Sequence, residues 1–194
     1  MSAALPRCYV ITPEPASASA ADCAAFLDRL SAVLAHGETL VQLRVKSLDA
    51  AAFAQLAAAA LARCDAAGAH LMLNGPIDAA GVMRLDGAGW HLDGPALRAA
   101  AQRPLPAGRW VSAACHARDD LLLAARAGAD FVTLSPVLPT LSHPDAPTLG
   151  WTQFGTLAAE AAMPVFALGG MKRSHLDEAR RHGAHGIAGI RGFW

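Results

Sequence analysis

Eight short runs of β-branched and apolar residues alternate with longer, alanine-rich stretches, and this alternation restricts the fold more than any other feature of the chain. The strand-like runs are 8–12, 39–45, 70–74, 89–92, 109–114, 130–134, 164–168 and 186–190. Between the first two, Phe26, Leu27, Leu30, Val33 and Leu34 recur at spacings of three and four, which predicts a helix from Asp22 to about His36. Asp49 reads as the N-cap of a helix running to about Ala67 and closed by Gly68. Short helices are expected over 77–82 and 96–102, and longer ones over 117–127, 152–162 and from a Ser174 cap to about His182. No tight turn joins successive strands, so they pair in parallel through the helices. A closed (β/α)8 barrel and an open doubly wound sheet both satisfy this pattern, and the count of eight favours the barrel. Trp194 lies four residues past the eighth run, so the last helix is expected to be short or absent. Phe193 and Trp194 would then plug the gap, unless a second domain or subunit covers it. No linker-like stretch divides residues 1–194, which read as a single domain.

Composition matters mainly for what it excludes. With 16 basic and 16 acidic residues the formal charge is zero, which argues against nucleic acid as a partner. The longest uncharged runs, 131–144 and 146–159, reach 14 residues and contain proline or glycine, whereas a membrane span needs ~20 apolar residues. The four cysteines, at 8, 23, 64 and 115, form no Cys-x-x-Cys pair, so buried reduced thiols in a cytoplasmic protein are expected. Arginine outnumbers lysine 14 to 2, which draws attention to both lysines.

In a barrel the active site lies at the carboxyl ends of the strands. Gln42, Arg44 and Lys46 alternate along and beyond the second strand, so all three face the bore. Two cations there are costly unless an anion meets them; a solvated strand end is the plainer alternative. Glycine-rich turns follow the seventh strand, at Gly169 and Gly170, and close the eighth, at Gly189 and Ile190 before Arg191. Turns of this kind hold phosphate in many barrels, and Arg191 is suited to pair with it.

An ordered set of motifs runs the length of the chain: Tyr9-Val-Ile-Thr12, Gln42-Leu-Arg-Val-Lys46, Asn74, Gly89-Trp-His-Leu92, Cys115-His116, Gly128-Ala-Asp-Phe-Val132, Ser135-Pro-Val-Leu-Pro-Thr140, Pro164-Val-Phe-Ala-Leu-Gly-Gly-Met171 and Gly183-Ala-His-Gly-Ile-Ala188. In this order and spacing they resemble the thiamine phosphate synthase/TenI superfamily. The Cys-His pair, the Ser-His-Pro loop and the Ile-Arg-Gly-Phe-Trp ending look most like the TenI-like domain found fused to Nudix hydrolases. The resemblance implies thiamine biosynthesis, with phosphorylated pyrimidine and thiazole small molecules as ligands. In the synthase, a pyrimidine methyl diphosphate ionises and the thiazole phosphate nitrogen attacks the carbocation. Lys46 and His143 are the candidate catalytic residues. Candidate substrate contacts are Gln42, Arg44, Lys46, Asn74, His91, His116, Thr140, Ser142, Gly169, Gly170, Ile190 and Arg191.

The chain also departs from the family pattern. Gly75 and Ala96 stand where the family's magnesium-binding aspartates are implied, and neither can offer a carboxylate. Asp78 and Asp93 lie nearby and read as turn or helix-cap residues. Magnesium is therefore expected only through the substrate diphosphate, with no protein carboxylate ligand identified. Ala114 replaces an implied serine, and His143 an implied lysine. The tautomerase branch implies a catalytic histidine where this chain has Pro136, with His143 as the nearest stand-in. His91 is read equally as facing the pocket or as a satisfied interior histidine. Adjacent Cys115 and His116 point to opposite faces, which disfavours a nucleophilic dyad. Three readings follow: a thiamine phosphate synthase-like enzyme, a TenI-type thiazole tautomerase, and a non-catalytic barrel that binds phosphorylated thiamine precursors. A homo-oligomer or a Nudix-type partner domain is compatible with each.

Overall fold

A computed structural model describes residues 4–140 and 147–194. Its strands β1 (Cys8–Ile11), β2 (Leu40–Arg44), β3 (His70–Asn74), β4 (Gly89–Leu92), β5 (Val111–Cys115), β6 (Phe131–Leu134), β7 (Val165–Ala167) and β8 (Gly186–Gly189) close into one parallel barrel in chain order. Closure is made by β1 and β8, with Tyr9 opposite Ala188. The open-sheet alternative is therefore excluded.

The helices α1 (Ala20–Ala35), α2 (Ala50–Ala66), α3 (Ala79–Met83), α4 (Gly94–Ala99), α5 (Arg118–Arg126), α6 (Gly150–Glu160) and α7 (Leu176–Arg181) connect the strands. Four start signals are local. Ser19, Asp49, Asp78 and Asp93 each accept a hydrogen bond from the backbone N–H three residues on, satisfying a donor that the first turn leaves unpaired. Ser174 does not act as a cap. It lies inside a 3-10 turn, Arg173–His175, where the His175 ring accepts from the Lys172 N–H, and α7 starts only at Leu176.

Period-two alternation sorts each strand between two cores. Val10, Val41, Leu43, Leu71, Leu73, Val132 and Leu134 point outward under the helices. Tyr9, Ile11, Leu40, Met72, Phe131, Phe166 and Ala188 fill the bore. Inside it, Tyr9 meets the Phe131 ring edge-on, with centroids 5.4 Å apart.

No helix follows β8 among the described residues. Phe193 is buried, Trp194 stacks on Phe26 of α1 at 5.2 Å, and the Arg173 guanidinium lies over the Phe193 ring while pairing with buried Glu38. The expected plug is therefore present. The thiols depart partly from expectation: Cys64 and Cys115 are buried, but Cys8 and Cys23 are half-exposed. None of the described helices is long and apolar enough to cross a membrane.

Candidate active site

The first cluster grows from the end of β2. Gln42 is only 1% exposed, and both ends of its amide are engaged: Nε2 donates to the Tyr9 hydroxyl at 2.9 Å and Oε1 accepts from Asn74 Nδ2 at 2.8 Å. Arg44 and Lys46 stand above it at the mouth, and both meet an anion of this same chain. Arg44 lies 3.6 Å from the Glu14 carboxylate, and Lys46 Nζ lies 2.8 Å from Asp93. Glu14 also accepts from the Lys46 N–H at 3.0 Å and from the Ser47 hydroxyl at 2.8 Å, tying the β1 loop to the β2 loop. Burial opposes ionisation of Asp93, but hydrogen bonds from Lys46 and the Ala96 N–H outweigh it and hold the carboxyl below its usual range. Sequence reasoning missed Glu14, whose only local signal is its place between Pro13 and Pro15 just beyond β1.

The bore beneath, though mainly apolar, also holds polar groups. His91 is 4% exposed and its Nδ1 lies 2.8 Å from the Ser112 hydroxyl. Burial, then the charges of Lys46 and Arg44 against an opposing Asp93, lower its pKa to about 3. It is an interior histidine, neutral near pH 7, and so unsuited to carry a proton there. His116 sits just above β5. Its Nδ1 lies 2.8 Å from the Ser135 carbonyl oxygen, which can only accept, so Nδ1 carries the proton and a neutral ring keeps Nε2 as acceptor. Burial, then Asp120, push the Cys115 thiol up to about 12, and the side chain packs outward under the helices; it forms no dyad with His116.

The second cluster joins the turns after β7 and β8. Gly169 and Gly170 have φ of +97° and +68°, a region that side chains rarely adopt. A Cβ on Gly170 would fall 2.7 Å from both Leu138 Cβ and the Pro139 oxygen. Packing against the β6 loop thus requires a glycine at this position. The two turns touch, since a Cβ on Gly192 would come 2.9 Å from the Met171 oxygen. Ile190 is half-buried against the bore, and Arg191 is exposed in a cleft of about 560 Å³ with Glu14, Pro15 and Trp194. Thr140 is half-buried on the β6 loop; Ser142 and His143 lie outside the described residues.

The residues do not fit a protein-held magnesium ion. A Cβ on Gly75 would lie 2.2 Å from the Phe53 ring, so a carboxylate there has no room. Ala96 supplies only its N–H, to the cap made by Asp93, while Asp78 caps α3 and Asp93 is taken by Lys46. Among the described residues no three His, Cys, Asp or Glu side chains form a metal-holding group.

A family model described as thiamine monophosphate synthase matches residues 8–193. The "Putative thiamine-phosphate synthase" of Geobacter sulfurreducens is 39% identical over 157 residues, covering 80% of this chain and 73% of that one. The thiamine-phosphate synthase of Roseiflexus castenholzii is 31% identical over 184 residues, covering 94% and 78%. Among solved structures, thiamine phosphate pyrophosphorylase from Pyrococcus furiosus superposes with a TM-score of 0.73 at 20% identity, over 95% of this chain and 85% of that one.

Proposed function

Because the chain belongs to the thiamine monophosphate synthase family, a family of thiamine biosynthesis, we propose that it joins a pyrimidine methyl diphosphate to a thiazole phosphate at the carboxyl end of its barrel. One observation carries this reading: Arg44 and Lys46 stand together at the mouth, directly above the Gln42–Asn74 pair. In the reaction the bond from the pyrimidine methylene to the diphosphate oxygen breaks, and its electron pair leaves with the diphosphate. The thiazole nitrogen lone pair forms the new C–N bond, and no proton moves.

Arg44 and Lys46 act on the leaving group. A diphosphate outbids the single carboxylates of Glu14 and Asp93, and charge-assisted hydrogen bonds from both cations offset the charge that develops on it. Gln42 orients Asn74 towards the ligand. The Gly169–Gly170 turn and Arg191 receive the thiazole phosphate, with Thr140 on the same rim. Magnesium enters with the diphosphate and not as a resident ion.

The test is incubation with both substrates and magnesium, following thiamine phosphate. Product formation supports the synthase reading, and its absence at high enzyme concentration overturns it. The space filled by Phe53 at position 75 favours a second, metal-independent reading: a thiazole tautomerase, or a barrel that binds a phosphorylated thiamine precursor. Calorimetry with thiamine phosphate that detects binding without turnover selects the binding role.

A further inference from the structure

Two buried polar atoms have no hydrogen-bond partner among the described residues, the Asn74 side-chain oxygen and the Thr133 hydroxyl. An unpaired buried polar group costs free energy, and native interiors rarely tolerate one without a reason. Strand parity aims both atoms into the bore. Thr133 alternates with Val132 and Leu134, which face the helices, and shares its face with Phe131, which fills the barrel. Asn74 likewise shares its face with Met72. Thr133 is 1% exposed. The residue beside it on β5 is Ala114, so no neighbouring hydroxyl on that strand competes for the same space.

We propose that Thr133 is a substrate-contacting specificity residue whose hydroxyl, aimed into the bore as the Asn74 oxygen is, reads an amino-substituted heteroaromatic ring. This assignment rests on the proposed function, since it names what holds the pyrimidine half of the ligand. Asn74 Nδ2 is already given to Gln42, so the atom it offers is an acceptor, suited to an exocyclic amine. The Thr133 hydroxyl has no partner to satisfy, so it is free to donate to a ring nitrogen. An aminopyrimidine carries both: its exocyclic amine donates and its ring nitrogens accept. A thiazole carries no amine, and its phosphate belongs with the glycine turns.

The test is calorimetry with thiamine phosphate, which contains the aminopyrimidine, and with thiazole phosphate, which lacks it. Thr133→Val keeps the shape and removes the hydroxyl; Thr133→Ser keeps the hydroxyl. The valine variant should bind thiamine phosphate roughly three- to tenfold more weakly, the loss of one net hydrogen bond, while thiazole phosphate affinity stays unchanged. The serine variant should stay within about twofold of the unmodified protein, which is below the loss of a net hydrogen bond. The ligand-free valine variant should melt no lower than the unmodified protein, because an unpaired buried hydroxyl has been replaced by a methyl of the same shape. A structural role for Thr133 predicts the opposite, a lower melting temperature with both ligands weakened together, and that result overturns the assignment. So does unchanged thiamine phosphate affinity in the valine variant, which leaves the proposed function standing. If the unmodified protein binds neither ligand, the proposed function itself fails and this assignment goes with it.

Discussion

On the β2–β4 side of the barrel mouth, charged side chains face charged side chains: Arg44 with Glu14, Lys46 with Asp93. On the β7–β8 side, backbone packs on backbone, with Gly169 and Gly170 pressed against residues 136–139 of the β6 loop. The first side is held by long-range electrostatics between half-exposed groups, which water and salt weaken. The second is held by volume, which leaves no room for a Cβ. One side should therefore respond to salt and to removal of its surface charges with little change in stability, and the other to added atoms with a large one.

The largest effect is expected from Gly170→Ala. A left-handed φ costs a non-glycine residue ~1–2 kcal/mol, and overpacking ~1–3 more, so a loss of about 2–5 kcal/mol should appear in chemical denaturation. Arg44→Ala on the other side should stay within about 1 kcal/mol. Equal losses on the two sides would break the contrast.

Acid sensitivity sharpens it from the charged side. The folded pKa of His91, about 3, lies below the unfolded value of about 6.5, so between these limits the unfolded chain binds more protons and stability falls as pH falls. At pH 4 the loss should be about 3 kcal/mol relative to pH 7, and His91→Gln should flatten the profile. Lys46→Ala should raise the His91 pKa, because the Lys46 charge helps to depress it; NMR titration of the ring reads this directly.

Binding separates the two sides further. Lys46→Ala should weaken inorganic diphosphate binding roughly tenfold to a hundredfold, the value of one charge-assisted hydrogen bond, and leave thiazole phosphate affinity unchanged. The smaller of the two binding effects is expected from Arg191→Ala. Its exposed guanidinium should be worth roughly tenfold in thiazole phosphate affinity and nothing towards diphosphate. If each variant weakens both ligands alike, the mouth is one electrostatic field rather than two sites.

Much of this architecture was legible from the chain alone, because period-two and period-3.6 patterns are local. They mark where the strands run, and His70–Asn74 and Gly89–Leu92 form strands over the same residues the pattern predicts. Asp49 is likewise visible as a cap, since its bond spans three residues. The alternation of Gln42, Arg44 and Lys46 brought that face forward for the same reason. What met those side chains was decided by closure. Glu14 reaches Lys46 across 32 residues and Asp93 reaches it across 47, and no local rule pairs them. The same holds for Phe53, which the barrel-facing side of α2 delivers into the space over Gly75, and for Ser112, which partners buried His91. Thr133 is the clearest case. Its sequence context says only that it belongs to a strand; the register of eight strands around one bore is what leaves its hydroxyl buried and unpaired. Periodicity encodes which face a residue takes, but the partner on that face depends on which distant strands the closed sheet brings alongside.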